Sequence, residues 1–471
     1  MVSESSYGTR RAINELLAIF SCQWANGMLP QIRFMPGQHG YRPDADDWGV
    51  TEAISGPTAL RTSGITQPPI MGLCAWEVFR KIGPDAQAAH AADFRTIAAG
   101  LERFHDWLFR ERDPWHEHLV LCLHPWETGT DNSPAFDRLI DSTRAYIEQS
   151  GLPVETFGRA DTVHVAAAHR PTARDYYAYF GLMALFKKHH YDQQAIIAES
   201  PFLLQDVLFN SLLAVSLRAL AQLEEALAEQ GGADAGALRD QANRNRERTA
   251  AMAGAMRDKF WDIADAFFYS YDSRGKRQLP IPTVSGFMPL LAEIADADQA
   301  RRLLEHLHDP EEFASPVPIP STALDSPVFS SERYWSGPSW PVTNWLVVRG
   351  LRERGEAGAE ALRLSTLAMI AEGTDPATVR VAAMGVMELN SFDDHFTTPS
   401  SRQYAHAWLW DSAIVAVSWP SVVARPPGYQ RQEGDPGFWE YYEPHTGAPL
   451  GAKPMTWTAS LFVELQDMGE D

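Results

Sequence analysis

Apolar residues recur at i, i+3, i+4 and i+7 in segment after segment of this 471-residue chain, and almost nowhere do they alternate with period two. The helical pattern is clear in 12–24, 70–82, 88–112 and 137–149. It continues through 173–198, 203–230, 233–260, 297–308, 340–354, 356–372, 377–389 and 457–467. The β-like fragments 119–124 and 266–272 are short. No Pro/Ser/Gly linker long enough to separate domains interrupts the series. The Pro-rich piece 315–329 carries apolar residues throughout, as an ordered loop does. Helices joined by alternately short and long loops predict one all-α domain over 1–471. A ring of helical hairpins, the (α/α)6 barrel, is the expected architecture. An α-solenoid would show a repeat of roughly 30–45 residues, and none is present. In a ring the loops gather at one end, so the loops that carry chemistry should meet there.

Charge and motif content narrow the function. The chain has 40 Lys+Arg against 61 Asp+Glu, a formal net charge of −21. That argues against a nucleic-acid partner and against an anionic membrane surface. No apolar run approaches the roughly 20 residues of a membrane span. The opening MVSESSYGTRRAINELL lacks a secretory hydrophobic stretch, so a cytoplasmic location is expected. Three cysteines (Cys22, Cys74, Cys122), with no CxxC, exclude a disulfide framework and a Cys-based zinc site. The pairs His189-His190 and His116/His118 lack HExxH spacing, and Asp46-Asp47 fit a solvated face better than a cation site. With no GxGxxG, P-loop or GxSxG motif either, no metal or organic cofactor is expected.

The chemistry is concentrated in six polar, aromatic segments. His124-Pro125-Trp126-Glu127-Thr128-Gly129-Thr130-Asp131-Asn132-Ser133-Pro134 opens a helix. There Asp131 is either a helix cap or an acid in the company of a Trp, a His and a second carboxylate. In Phe438-Trp439-Glu440-Tyr441-Tyr442-Glu443-Pro444 the aromatics would desolvate Glu440, as an acid/base catalyst requires, unless this is a plain surface hairpin. Arg333-Tyr334-Trp335-Ser336-Gly337-Pro338-Ser339-Trp340 offers flat rings for the C–H faces of a sugar, or simply packs. Tyr41 and Gln67 lie in two loops near the start. Arg170, ahead of Tyr176, either grips a substrate carboxylate or pairs with a nearby acid. Tyr404, Trp408, Trp410 and Asp411 close the set, with Asp411 also placed to cap a helix. The loops 35–48 and 313–332 are the candidate lids.

Together these segments resemble glycoside hydrolase family 63, and most closely its bacterial branch of mannosylglycerate and glucosylglycerate hydrolases. The likeness rests on HPWETGTDNSPAFD (124–137), RPTARDYY (170–177), RYWSGPSWPVTNWL (333–346), QYAHAWLWDSA (403–413) and FWEYYEPHTGAPLG (438–451) with TWTAS (456–460). QWANGMLPQIRF (23–34) and SGITQPP (63–69) extend it. The resemblance implies an (α/α)6 barrel that hydrolyses an α-glycosidic bond with inversion. It makes Asp131 the general acid and Glu440 the general base. Tyr334, Trp335, Trp340, Tyr404, Trp408 and Trp410 would line the sugar subsite, with Trp126 and Asp411 beside it. Tyr41, Gln67, Arg170 and Tyr176 would hold a small acidic aglycone. The chain departs from the family in order, since the block at 378–419 resembles the family's opening segment. It also has Pro454-Met455 where the family has a Gln before the last Trp-Thr-Ala. The expected partner is a small carbohydrate. A trehalase-like α-glucosidase, a phosphorolytic enzyme, a polysaccharide lyase and a non-catalytic sugar-binding protein are the competing readings.

Overall fold

A computed structural model describes residues 4–34, 42–53, 56, 61–159, 162, 165–371, 379, 406–418, 438–451 and 456–469. Helices dominate. The long ones are Glu4–Phe20, Met71–Lys81, Ala91–Arg112, Asp137–Ser150, Ala173–Lys188, Val207–Glu229 and Ala235–Phe260. Ala297–Leu307, Pro341–Glu353, Gly358–Ala371, Leu409–Ser418 and Thr456–Asp467 follow. Among the described residues the strands are two or three residues long and form three two-stranded pairs and one three-stranded sheet. One pair joins Ile32–Phe34 to His406–Trp408, antiparallel, with Ile32 opposite Trp408.

Helix boundaries follow local chemistry. The first helix ends at Phe20, short of the predicted 24, because the chain turns and the Trp24 amide bonds the Met28 carbonyl at 2.9 Å. The predicted helix 173–198 is two helices, Ala173–Lys188 and Gln193–Glu199. They separate where His190 and Tyr191 take φ of 48° and 62°, which no right-handed helix can continue through. Tyr191 is held there by edge contacts with Trp24 and Phe186 and by its hydroxyl, which donates to the Trp48 carbonyl. Asp192 then caps the second helix through the Ala195 amide. Thr172 and Asp175 form a reciprocal capping box at the start of 173–188. The predicted helix 377–389 lies outside the described residues, save Val379.

Val207–Glu229 is apolar on nearly every side and is the central helix of the core. With 23 residues it is long and apolar enough to cross a bilayer, contrary to the sequence expectation, yet 89% of its most apolar window is buried inside the protein. It packs on Met71–Lys81, Ala91–Arg112, Ala235–Phe260 and the short helix Met288–Leu291. The approach to Met71–Lys81 depends on Gly72. A Cβ there would stand 2.5 Å from the Ser216 carbonyl oxygen, and the Gly72 amide donates to the Ser216 hydroxyl at 3.1 Å. Met288–Leu291 packs on Pro341–Glu353, which packs on Thr456–Asp467. That helix packs on Leu409–Ser418, which returns to Met71–Lys81. The Pro-rich segment 315–329 is an ordered loop, pinned by Val317 to Pro444 and by Ser321 to Val284.

Candidate active site

The loop 124–132 is built from the inside outward. Glu127 is fully buried and takes both ends of the Arg112 guanidinium fork at 2.7 and 2.8 Å. Its oxygens also accept from the amides of Leu123 and Thr66. Burial alone would raise its pKa. The arginine and the two amides outweigh that and hold the carboxylate below its ordinary range. Glu127 therefore anchors the loop and is not a reacting acid. Gly129 turns the chain at φ 75°, pressed close to Pro68. Asp131 follows, partly exposed. The next helix starts at Asp137 with Phe136 at its N-cap, so the cap reading of Asp131 is set aside.

Asn132 joins this loop to the second aromatic segment. Its side-chain oxygen accepts the Trp335 amide at 3.0 Å, and its carbonyl accepts the Ser336 hydroxyl at 3.4 Å. Tyr334, one residue earlier, sits at φ 40°, a conformation that costs a residue with a Cβ and persists only where its surroundings enforce it. The Trp340 indole donates to the Tyr334 carbonyl at 3.1 Å. The strand Tyr441–Tyr442 docks on the same segment through the Ser339–Tyr442 bridge, bringing Glu440 with it.

Glu440 is buried and receives a two-pronged bond from Arg170, at 2.6 and 3.0 Å. Arg170 also lies 4.9 Å from the centroid of the Tyr334 ring. Burial works against its cation, but Glu440, Tyr334 and Tyr441 outweigh burial and the guanidinium stays charged. The Tyr334 phenol is pushed well above its ordinary pKa, first by burial, then by Glu440 and Asp131. One phenol thus feels both carboxylates, whose positions are 309 residues apart in the chain (440 − 131).

The other expected site residues divide clearly. Trp126 and Tyr176 meet edge to face at 6.3 Å, and the Trp126 carbonyl accepts from Gln31. Gln67 is buried next to Thr66, whose amide binds Glu127, which places it beside the acid loop. Trp340 is corrected as a sugar platform. Trp335 covers it at 3.8 Å, nearly parallel, and Tyr441 stacks on it at 4.4 Å, so the fully buried ring has no free face. Arg170 places its fork on Glu440, the acid-pairing alternative read from the sequence. Glu443 is a turn residue that accepts from the Thr446 and His445 amides. Asp47 pairs with Arg42, and Asp46 with Arg61. Tyr41 and Tyr404 lie outside the described residues, as do the side chains of Trp408, Trp410 and Asp411. The backbone of Trp408 is beside Ile32, next to Gln31. Tyr179, Asn132 and Tyr441 were not singled out from the sequence. Nothing in the spacing separates Tyr179 from its neighbour Tyr176.

Two carboxylates near stacked aromatics in a helix-rich fold suit a carbohydrate-cleaving enzyme, and the comparisons with known proteins identify that class. Residues 5–379 match the mannosylglycerate hydrolase MGH1-like glycoside hydrolase domain. The chain belongs to this family and is a glycoside hydrolase. It is 36% identical to a mannosylglycerate hydrolase of Rubrobacter radiotolerans over 98% of this chain and 87% of the relative. It is 30% identical to a glucosylglycerate hydrolase of Mycolicibacterium hassiacum over 96% and 86% of the two chains. Among solved structures, a GH63 mannosylglycerate hydrolase from Thermus thermophilus in complex with Tris superposes with a TM-score of 0.70. That match is at 28% identity and covers 96% of this chain and 91% of that one. The same enzyme has been solved with Tris and D-glycerate and with glucose.

Proposed function

We propose that the protein hydrolyses the α-glycosidic bond of glucosylglycerate or mannosylglycerate with inversion, releasing free sugar and glycerate. The observation that supports this is Tyr334, a buried phenol whose pKa is raised first by burial and then by Glu440 and Asp131, so both carboxylates lie within its electrostatic reach. Two acids facing one ring-lined space suit the inverting reaction, in which the carboxyls stand roughly 6.5–9.5 Å apart with water between sugar and base. Asp131, protonated, gives its proton to the departing oxygen. Glu440, ionised, takes one from the attacking water. The names of the relatives support glycerate as the leaving group. Arg170 spends Nη1 and Nη2 on Glu440, so a glycerate carboxylate that met this guanidinium would share it with that acid.

The circuit of packed helices that runs through 71–81, 207–229, 288–291, 341–353, 456–467 and 409–418 supports an (α/α)6 barrel with these as its inner wall. The same contacts support a rearranged order in which 378–419 takes the family's opening position. Its described helix, 409–418, lies between 456–467 and 71–81, and its strand lies on Ile32–Phe34 near the acid loop. Three free, buried cysteines are consistent with a cytoplasmic site of action.

Asp131→Asn and Glu440→Gln are expected to fold and to lose at least the roughly 10²–10⁴-fold that acid–base assistance contributes. Anomer-resolved NMR of the first product should show the β-sugar. Wild-type turnover in either variant, or an α-product, overturns the mechanism. A panel of glucosylglycerate, mannosylglycerate, trehalose and kojibiose assigns the substrate.

A further inference from the structure

One fully buried residue is bonded to both ends of the loop that carries Asp131. Tyr179, on helix 173–188, donates its phenolic hydrogen to the main-chain carbonyl of Asp131 at 3.0 Å. Its own carbonyl accepts from Nε2 of His124, at the start of the loop, at 3.0 Å. The Trp126 amide points at Nδ1 of that histidine at 3.1 Å, so the neutral Nε2–H tautomer satisfies both bonds. Burial lowers the His124 pKa to about 4, which keeps the ring in that form through neutral pH. The Tyr179 ring is fixed by Trp126, Tyr176 and His124 at centroid distances of 5.3, 5.5 and 5.8 Å. Burial, and after it Asp175 and Asp131, push its phenol well above the ordinary range, so the hydroxyl is a permanent donor.

We propose that Tyr179 is the positioning residue for the general acid, closing the 124–131 loop on itself and thereby setting where the Asp131 carboxyl points. The inference rests on the reading of Asp131 as acid. The bond from Tyr179 holds the peptide between Asp131 and Asn132, and Asn132 in turn holds the Trp335 amide beside Tyr334. If that peptide rotated, the acid would shift relative to Tyr334, whose phenol feels both carboxylates. Displacements of about 1 Å are enough to cost on the order of 10²-fold in rate.

Tyr179→Phe keeps the ring and its packing and removes only the hydroxyl. Its effect should fall on proton donation, so the test compares two leaving groups on the same sugar. One is the glycerate glycoside, which needs a proton. The other is the matching α-glycosyl fluoride, whose fluoride departs without one. The expected result is a fall in kcat of about 10- to 100-fold on the glycoside, with KM within about threefold and fluoride turnover near wild type. Equal losses on both substrates, or no loss on either, overturn the proposal.

Asp131→Asn is measured alongside. If it fails to show the same split, the acid assignment falls and the inference with it. If it shows the split and Tyr179→Phe does not, only the positioning role falls. Should Tyr179→Phe not fold, His124→Gln loosens the other end of the loop. A selective loss on the glycoside there supports the proposal, and a uniform one overturns it.

Discussion

Arg112 and Glu127 meet with no solvent exposure at all, and their pairing decides what the neighbouring acid is for. Removing one partner leaves an uncompensated buried charge. Arg112→Met should therefore lower the unfolding free energy in urea by about 3–5 kcal/mol. The double variant Arg112→Met/Glu127→Leu should recover some of that loss. A single-variant loss below about 1 kcal/mol would show that the pair does not anchor the loop. In the sequence Glu127 and Asp131 are two acids in one loop with nothing to rank them. Glu127 is disqualified by an arginine 15 positions upstream, a partner that helical periodicity cannot reveal. Trp340 was misjudged for a related reason. An aromatic beside a Gly-Pro turn looks like a platform, but two partners, Trp335 and the distant Tyr441, take its faces. Asp131 and Glu440 were singled out through a family resemblance that spans several blocks, and both act on the buried phenol of Tyr334. Arg170 was legible as a two-pronged anion ligand, though its anion here is Glu440.

Three helices share a buried carboxyl pair far from the chemistry in type. Asn245 donates to Glu102 at 2.5 Å and to Glu224 at 3.1 Å, joining helices 91–112, 207–229 and 235–260. Burial first, then Glu102, push the Glu224 carboxyl up to about 9 from an ordinary 4.5, with Arg244 opposing. The folded state therefore binds a proton there that the unfolded chain has released. This contribution is fully present below pH 4.5 and drains away as pH rises through about 9. Thermal unfolding followed from mildly acidic to alkaline pH should show the wild type weakening. Glu224→Gln should flatten that slope and be the more stable protein at the alkaline end. Parallel slopes would place the proton elsewhere. Most of the helices were readable from apolar spacing to within a few residues, though the first, Glu4–Phe20, begins eight residues before its expected start at 12. The break at His190 and Tyr191 was not, because tertiary packing of Tyr191 imposes a left-handed backbone on residues that carry no turn signal.

For the molecule as a whole, a net charge of −21 acts on stability and on encounter with substrate. Self-repulsion is screened by salt, so the thermal midpoint should rise with sodium chloride until screening saturates. An acidic glycoside approaching this surface is repelled, so its kcat/KM should also rise with ionic strength. A neutral disaccharide, if turned over, should show no such trend. A fall with salt would mean that a local positive field at the site, such as that of Arg170, outweighs the global charge. Helix-rich character was visible in the sequence because every helix must bury one stripe. Which helix neighbours which was not, since that is fixed by distant contacts such as Gly72 on Ser216.

The stack of Trp335, Trp340 and Tyr441 has an optical consequence. Rigid chromophores in an asymmetric array give near-ultraviolet circular dichroism that vanishes when side-chain packing is lost. Two of these rings follow Tyr334 closely in the chain, and the third is bonded to Glu440 through the backbone. That band is therefore a label-free gauge of whether the aromatic packing around the candidate site is assembled, readable in any variant before a single turnover is counted.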